Sequence, residues 1–157
     1  MVFDWTKLSG EVDGIYDLAV PILYLLHLKN LPVVSQHCSG FIQWLFQEGV
    51  LDKTKLHLIG QSMGAHIVGA VGYYVQLSMD NYKIPRITGL DPAGVSMYPS
   101  IRGRNIQKED AEFVDVIHAN FDHLGDRTLD GHVDIFRKFI HLFFVPKIST
   151  DTGLLYG

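Results

Sequence analysis

Gly60-Gln61-Ser62-Met63-Gly64 is the segment of this sequence whose residue types point most directly to chemistry. A serine spaced between two glycines, after a strand-like run and before a helical one, suits a nucleophile on a sharp strand-to-helix turn. Small residues at both ends of the pentapeptide suit the close approach of strand and helix. Ser62 then projects its hydroxyl above the sheet edge, and the Met63 backbone N–H is placed to donate to an oxyanion. A chain this long matches the pattern by chance about one time in twenty. The strand–turn–helix context favours the chemical reading over that chance.

A nucleophilic serine needs a base, and the base needs an orienting carboxylate. Asp91 is the candidate acid. It ends a strand-like run in Gly89-Leu90-Asp91-Pro92-Ala93, 29 residues after the serine. Its bland reading is an Asp-Pro turn. Four histidines follow it: His118, His123, His132 and His141. His118 reads as a polar contact at a strand end, His123 as a solvated loop residue and His132 as a structural hydrogen bonder. His141 lies among Ile140, Leu142, Phe143 and Phe144 and reads as buried. None has a spacing that marks it as the base, so the triad histidine is not identified. His118 and Asp122 are four apart in a segment without helical character, and no metal motif, P-loop or dinucleotide fingerprint occurs.

These groups need elements to position them. Leu31 to Gln47 predicts a helix, with Val34, Cys38, Phe41, Ile42 and Leu45 on one face. Pro32 suits its first turn and Gly49 its stop. Lys55 to Ile59 predicts a strand, Ser62 to about Val75 a helix, Arg86 to Leu90 a second strand and Phe113 to His118 a third. Gly69 to Gly72 suits close packing of the helix on the sheet. Val2-Phe3 reads as a strand end, Leu8 to Asn30 has no clear assignment, and Pro99 to Asp110 reads as a polar loop. Alternating strands and helices predict an α/β fold with a parallel sheet, whose chemistry sits at the strand C-termini. From Arg137 onward the pattern changes, and the sequence offers this tail no place in the sheet.

Composition narrows the class. The chain has 157 residues, 47% hydrophobic and 19% charged, which fits one globular domain. Seventeen acids against thirteen bases give a net charge of −4, which argues against binding driven by nucleic-acid phosphates. The single cysteine, Cys38, excludes an intrachain disulfide framework. The start, Met1-Val2-Phe3-Asp4-Trp5, lacks the features of a signal peptide. The longest apolar run, Leu18 to Leu28, is shorter than the roughly 20 residues of a membrane span.

Taken together, the segments Val2-Phe3-Asp4-Trp5, Leu56 to Gly69, Arg86 to Ala93, Glu112 to His118 and Gly131 to Asp134 resemble the animal triglyceride lipase family, which includes pancreatic-type lipases and insect phospholipase A1-like enzymes. The resemblance spans residues 2 to 136. It implies a partial α/β-hydrolase fold, with residues 1–136 as part of a catalytic domain and 137–157 as a divergent tail. It implies ester hydrolysis of glycerolipids at a lipid interface, and an extracellular protein. Serine before acid is the chain order of that fold. The resemblance assigns Ser62 as nucleophile and Asp91 as triad acid. Gln61 stands where the family often has histidine. The family's catalytic histidine lies downstream of the motif matched by Gly131-His132-Val133-Asp134, so His132 does not take that role and the expectation is a chain that ends before it. The second oxyanion donor and the strands beside Asp4-Trp5 belong to sequence upstream, which leaves the Leu56 strand with an open edge. Of the acids that bind calcium in some members, only Asp110 has a match, so no metal or cofactor is assigned. The residues leave triacylglycerol and phospholipid open as substrates. The alternatives are a lipid-binding relative without activity, like the family's yolk proteins, and a non-functional truncated product.

Overall fold

The computed structural model describes residues 30–94, 105–121 and 124–137, together with the backbone of 145–148. The readings of Val2-Phe3, Leu8 to Lys29, Pro99 to Arg104, Asp122, His123 and His141 lie outside these residues. In chain order the elements are α1 (Leu31–Gln47), β1 (His57–Gln61), α2 (Met63–Ser78), β2 (Ile84–Leu90), a 3-10 turn (Lys108–Asp110), β3 (Ala111–His118), β4 (Val133–Phe136) and β5 (Val145–Ile148). The sheet order is β1-β2-β3-β4-β5. The first four strands are parallel, and β5 runs antiparallel to β4. This is the expected partial α/β-hydrolase sheet with flanking helices.

The α1 boundaries agree with the sequence reading because its end signals are strong. Pro32 sits in the first turn. At the other end Gly49, with φ +68°, donates its N–H to Phe46 O, and Val50 donates to Leu45 O. That bond pair is the left-handed C-terminal stop that glycine permits. One face residue differs from expectation. Phe41 is 36% exposed and stacks on Trp44, with ring centroids 5.7 Å apart. Its neighbour Ile42 takes the buried position instead.

α2 covers one face of the sheet. Ile67, Val71 and Val75 form one core with Ile84, Ile87, Val114 and Val116. Each fully buried aliphatic side chain there contributes about 1.5–3 kcal/mol relative to exposure. The α2 glycines pack differently from the reading. A side chain at Gly72 meets the Asp110 carbonyl oxygen at 2.2 Å, and one at Gly69 meets Ile106 Cα at 2.8 Å. The close partner of α2 at these positions is therefore the segment leading into β3, with only the tip of Ile87 coming from the sheet.

The face of the sheet away from α2 carries a polar cluster beside apolar Ile59 and Phe113. Arg86 pairs with Asp115 through both carboxylate oxygens, at 3.0 and 2.9 Å. Thr88 donates to the same carboxylate at 2.8 Å and lies 2.8 Å from His57 Nε2. Burial pushes the Asp115 carboxyl up, but the hydrogen bonds from Arg86 and Thr88 outweigh it and hold it low. Among the described residues β1 pairs on one side only, and its Ile59 is 58% exposed.

The tail after Arg137 does enter the sheet, contrary to the sequence reading. Val145–Ile148 pairs with β4, Phe136 opposite Val145 and Ile135 opposite Pro146. Four residues are too few to carry a period. The proline lowers the strand signal further, yet an edge strand tolerates it because no second neighbour needs its N–H.

Candidate active site

The parallel sheet brings the C-terminal ends of β1, β2 and β3 side by side. Gln61 pairs with Leu90, and Leu90 with Ile117. One step beyond each end, the chain turns in a stair of hydrogen bonds. Ser62 N–H donates to Leu90 O at 2.9 Å, and Asp91 N–H donates to Ile117 O at 2.6 Å. Ser62 and Asp91 thus stand one residue past paired positions on neighbouring strands, about 4.8 Å being the strand spacing.

Ser62 has φ 54° and ψ −122°, a conformation that a side chain adopts at a cost of about 1–3 kcal/mol. The turn holds it there. Its carbonyl accepts from Ala65 N–H at 3.1 Å, and α2 begins at once with Met63. The residue is exposed, and its hydroxyl has no hydrogen-bond partner among the described residues. As the first residue of α2, Met63 has a backbone N–H with no acceptor inside the helix. The two glycines of the pentapeptide differ in role. A Cβ at Gly60 lies 2.1 Å from Gly64 O, whereas a Cβ at Gly64 meets nothing within 4 Å among the described residues. Among the described residues the need for a small residue therefore rests on Gly60, because the start of α2 crosses directly over it.

Asp91 also has a positive φ, 46°. Its Oδ1 accepts from Ala119 N–H at 2.9 Å and from Asn120 N–H at 2.7 Å. Its other oxygen, Oδ2, has no hydrogen-bond partner among the described residues. One oxygen is anchored and one is available, which is the state of a carboxylate that orients a further donor. The Asp-Pro turn and the candidate acid are thus the same residue. Proline fixes the chain after Asp91, and Pro92 O accepts Asp126 N–H at 2.7 Å.

None of the described histidines bonds to Ser62 or to Asp91. His118 is fully buried between Asp126 O and Asp134. His132 accepts Val114 N–H at its Nδ1, 3.0 Å away, as the structural reading expected. Asp110 is buried and takes Gln107 N–H at Oδ2, 2.8 Å away, capping its own 3-10 turn. No three acidic, histidine or cysteine side chains gather in a metal-holding group among the described residues.

Sequence reasoning missed His66. It lies four residues after Ser62, one helical turn on, and is 1% exposed. Its Nε2 donates to Ala93 O at 2.7 Å, and its Nδ1 accepts Ile106 N–H at 3.2 Å. It pins the loop after Asp91 to the helix after Ser62. The signal available was the i, i+4 spacing from Ser62. Burial holds His66 below the usual histidine range, so the folded state resists its protonation. A lowered histidine contributes stability that is present above its unfolded value of 6.5 and is lost as pH falls below it. Asp130 acts with the opposite sign. Burial pushes it up to about 6, aided by the charges of Asp126 and Asp134, so its contribution falls as pH rises from 3.8 to that value. Chemical denaturation of the parent and of His66→Gln across pH 5 to 8 separates the two. The stability difference between them should shrink below about pH 6.5, by at most about 1.4 kcal/mol per pH unit. A difference that is flat with pH would count against a neutral His66.

A family profile described as Lipase matches residues 16–138. The chain belongs to the lipase family. A hepatic triacylglycerol lipase of Mus musculus is 38% identical over 126 residues, which cover 79% of this chain and 23% of that protein. A phospholipase A1 member A of Rattus norvegicus is 37% identical over 114 residues, 73% of this chain and 24% of that one. Pancreatic lipase-related protein 3 of Homo sapiens is 37% identical over 119 residues, 72% and 24% respectively. This lipase-family chain spans about a quarter of the length of the curated relatives it matches. No described helix is long and apolar enough to cross a membrane.

Proposed function

We propose that this lipase-family chain carries the nucleophile and the acid of a serine ester hydrolase acting on glycerolipids. The observation that supports this most is the pairing of an exposed serine in a strained strand-to-helix turn with a half-anchored carboxylate on the next strand end. In this reading Ser62 Oγ attacks the acyl carbonyl carbon, and a histidine other than the described ones takes its proton. Asp91 Oδ2 accepts from that histidine and stabilises its charged form. The Met63 N–H donates to the developing oxyanion, together with a second donor. The ester C–O bond then breaks as the histidine returns the proton to the departing alcohol, and water hydrolyses the acyl-enzyme, which releases a fatty acid and restores Ser62. Residues 1–136 form the catalytic part in this proposal, with 137–157 as the departure from it. The substrate class and an extracellular setting follow the family's lipases, and both triacylglycerol and phospholipid remain within it.

The test is covalent labelling. A fluorophosphonate added to the native protein should form one adduct, mapped to Ser62 by peptide mass spectrometry. Absence of labelling, with vesicle binding retained, would instead favour the inactive lipid-binding relative.

A further inference from the structure

A buried pair lies behind Asp91 that the proposed chemistry does not use. His118, the last residue of β3, is 0% exposed, and Asp134 of β4 is 2% exposed. His118 Nδ1 lies 3.0 Å from the Asp126 carbonyl oxygen. A carbonyl oxygen only accepts, so Nδ1 carries a hydrogen and donates. His118 Nε2 lies 2.9 Å from Asp134 Oδ1, within hydrogen-bond distance. The Asp134 carboxylate also accepts Asp130 N–H at Oδ1, 3.3 Å, and Gly131 N–H at Oδ2, 3.2 Å. The imidazole lies flat on the Phe136 ring, with centroids 4.1 Å apart and planes within 3°. Both ring nitrogens are occupied, and one ring face is covered. Turning the ring would strip hydrogen bonds from buried polar groups, each costing about 1–3 kcal/mol.

The residues on either side of this fixed ring are those that hold Asp91. Ile117 O takes the Asp91 N–H, and Ala119 and Asn120 give their N–H groups to Asp91 Oδ1. Asp126, whose carbonyl binds the ring, gives its own N–H to Pro92 O, the next residue after Asp91. All three hydrogen bonds to Asp91, and the chain that follows it, therefore converge on the segment that carries this imidazole.

We propose that His118 and Asp134 are a positioning pair for Asp91, fixing the amide seat of Oδ1 and so aiming Oδ2 at the base. The inference rests on the ester-hydrolase reading for its consequence, though its geometry can be read without activity. Neither residue touches substrate.

The experiment uses the full-length protein with alanine and asparagine labelled in nitrogen-15. In the parent, Asp91→Asn should move the Ala119 and Asn120 amide resonances, which identifies them as the seat. His118→Leu, of similar volume but without hydrogen bonds, should move the same two resonances although Asp91 is intact. Unmoved resonances in a folded His118→Leu protein would overturn the proposal. The kinetic arm is a double-mutant cycle on a short-chain ester. His118→Leu should lower kcat about 100-fold with KM nearly unchanged, the scale of a misplacement near 1 Å. In the Asp91→Asn background the same change should cost almost nothing further, whereas losses that multiply would show a merely structural role and overturn it. Should His118→Leu fail to fold, Asp134→Ala and Asp134→Asn carry the comparison. Asparagine can donate to His118 Nε2 while Nδ1 keeps its hydrogen, so Asp134→Asn should recover most of what Asp134→Ala loses. Equal losses in the two would count against the pair. If Asp91→Asn itself leaves hydrolysis unchanged, the ester-hydrolase reading falls, and the amide resonances still decide whether the pair seats Asp91.

Discussion

Ser62→Ala is expected to lower kcat for ester hydrolysis by the full-length protein about 10⁶-fold, the scale seen when a serine nucleophile is removed from a triad. Ser62 is exposed, and its hydroxyl bonds to nothing among the described residues. Its structural contacts all run through the backbone, from its N–H to Leu90 O and from Ala65 N–H to its carbonyl. Alanine keeps both bonds and carries the same penalty at φ 54°. The variant should therefore unfold at the same temperature as the parent and lose its fluorophosphonate adduct completely. Turnover within about tenfold of the parent, measured on a short-chain ester, would remove Ser62 from the role.

The local geometry of this candidate site was legible in the sequence for a physical reason. The elbow is a local device. A glycine pair, a preceding strand and a following helix all lie within 22 residues of sequence from His57 to Ser78, so short-range pattern was enough. Asp91 was readable for a similar reason, since a strand followed by Asp-Pro marks its own end. The α1 boundaries came from proline and glycine signals that the structure uses as expected. What escaped the reading depends on contacts far apart in sequence. His66 gains meaning only when Ala93 and Ile106 meet it from 27 and 40 residues away. His118 looked like an ordinary polar strand end, and the structure does give it a polar partner, Asp134, 16 residues on. Its relation to the Asp91 seat required the parallel register of β2 and β3. Phe41 was misplaced because two adjacent apolar residues compete for one helix face, and Ile42 wins it. β5 was missed because four residues beside a proline carry no period.

The largest effect on stability is expected at Gly60. Gly60→Ala should cost the fold about 4 kcal/mol or more, at the extreme of what single substitutions do. A Cβ there lies 2.1 Å from Gly64 O, 2.4 Å from Gly64 C and 2.8 Å from Ala65 N. All three are backbone atoms, so no side chain can swing aside. Relief demands that the first turn of α2 lift away from β1. That movement pulls on the bond from Ala65 N–H to Ser62 O and on the bond from Ser62 N–H to Leu90 O. Ordinary overpacking costs about 1–3 kcal/mol because neighbours can shift, and here the neighbour is a helix packed into the core. Gly64→Ala is the matched control. Its Cβ meets nothing within 4 Å among the described residues, and alanine favours a helix over glycine by about 1 kcal/mol. Urea unfolding of both variants should therefore move in opposite directions from the parent, the Gly60 variant strongly down and the Gly64 variant level or slightly up. Similar midpoints for the two would mean that β1 and α2 do not touch as described, and the strained geometry assigned to Ser62 would lose its support, because the crossing of α2 over Gly60 is what holds that turn.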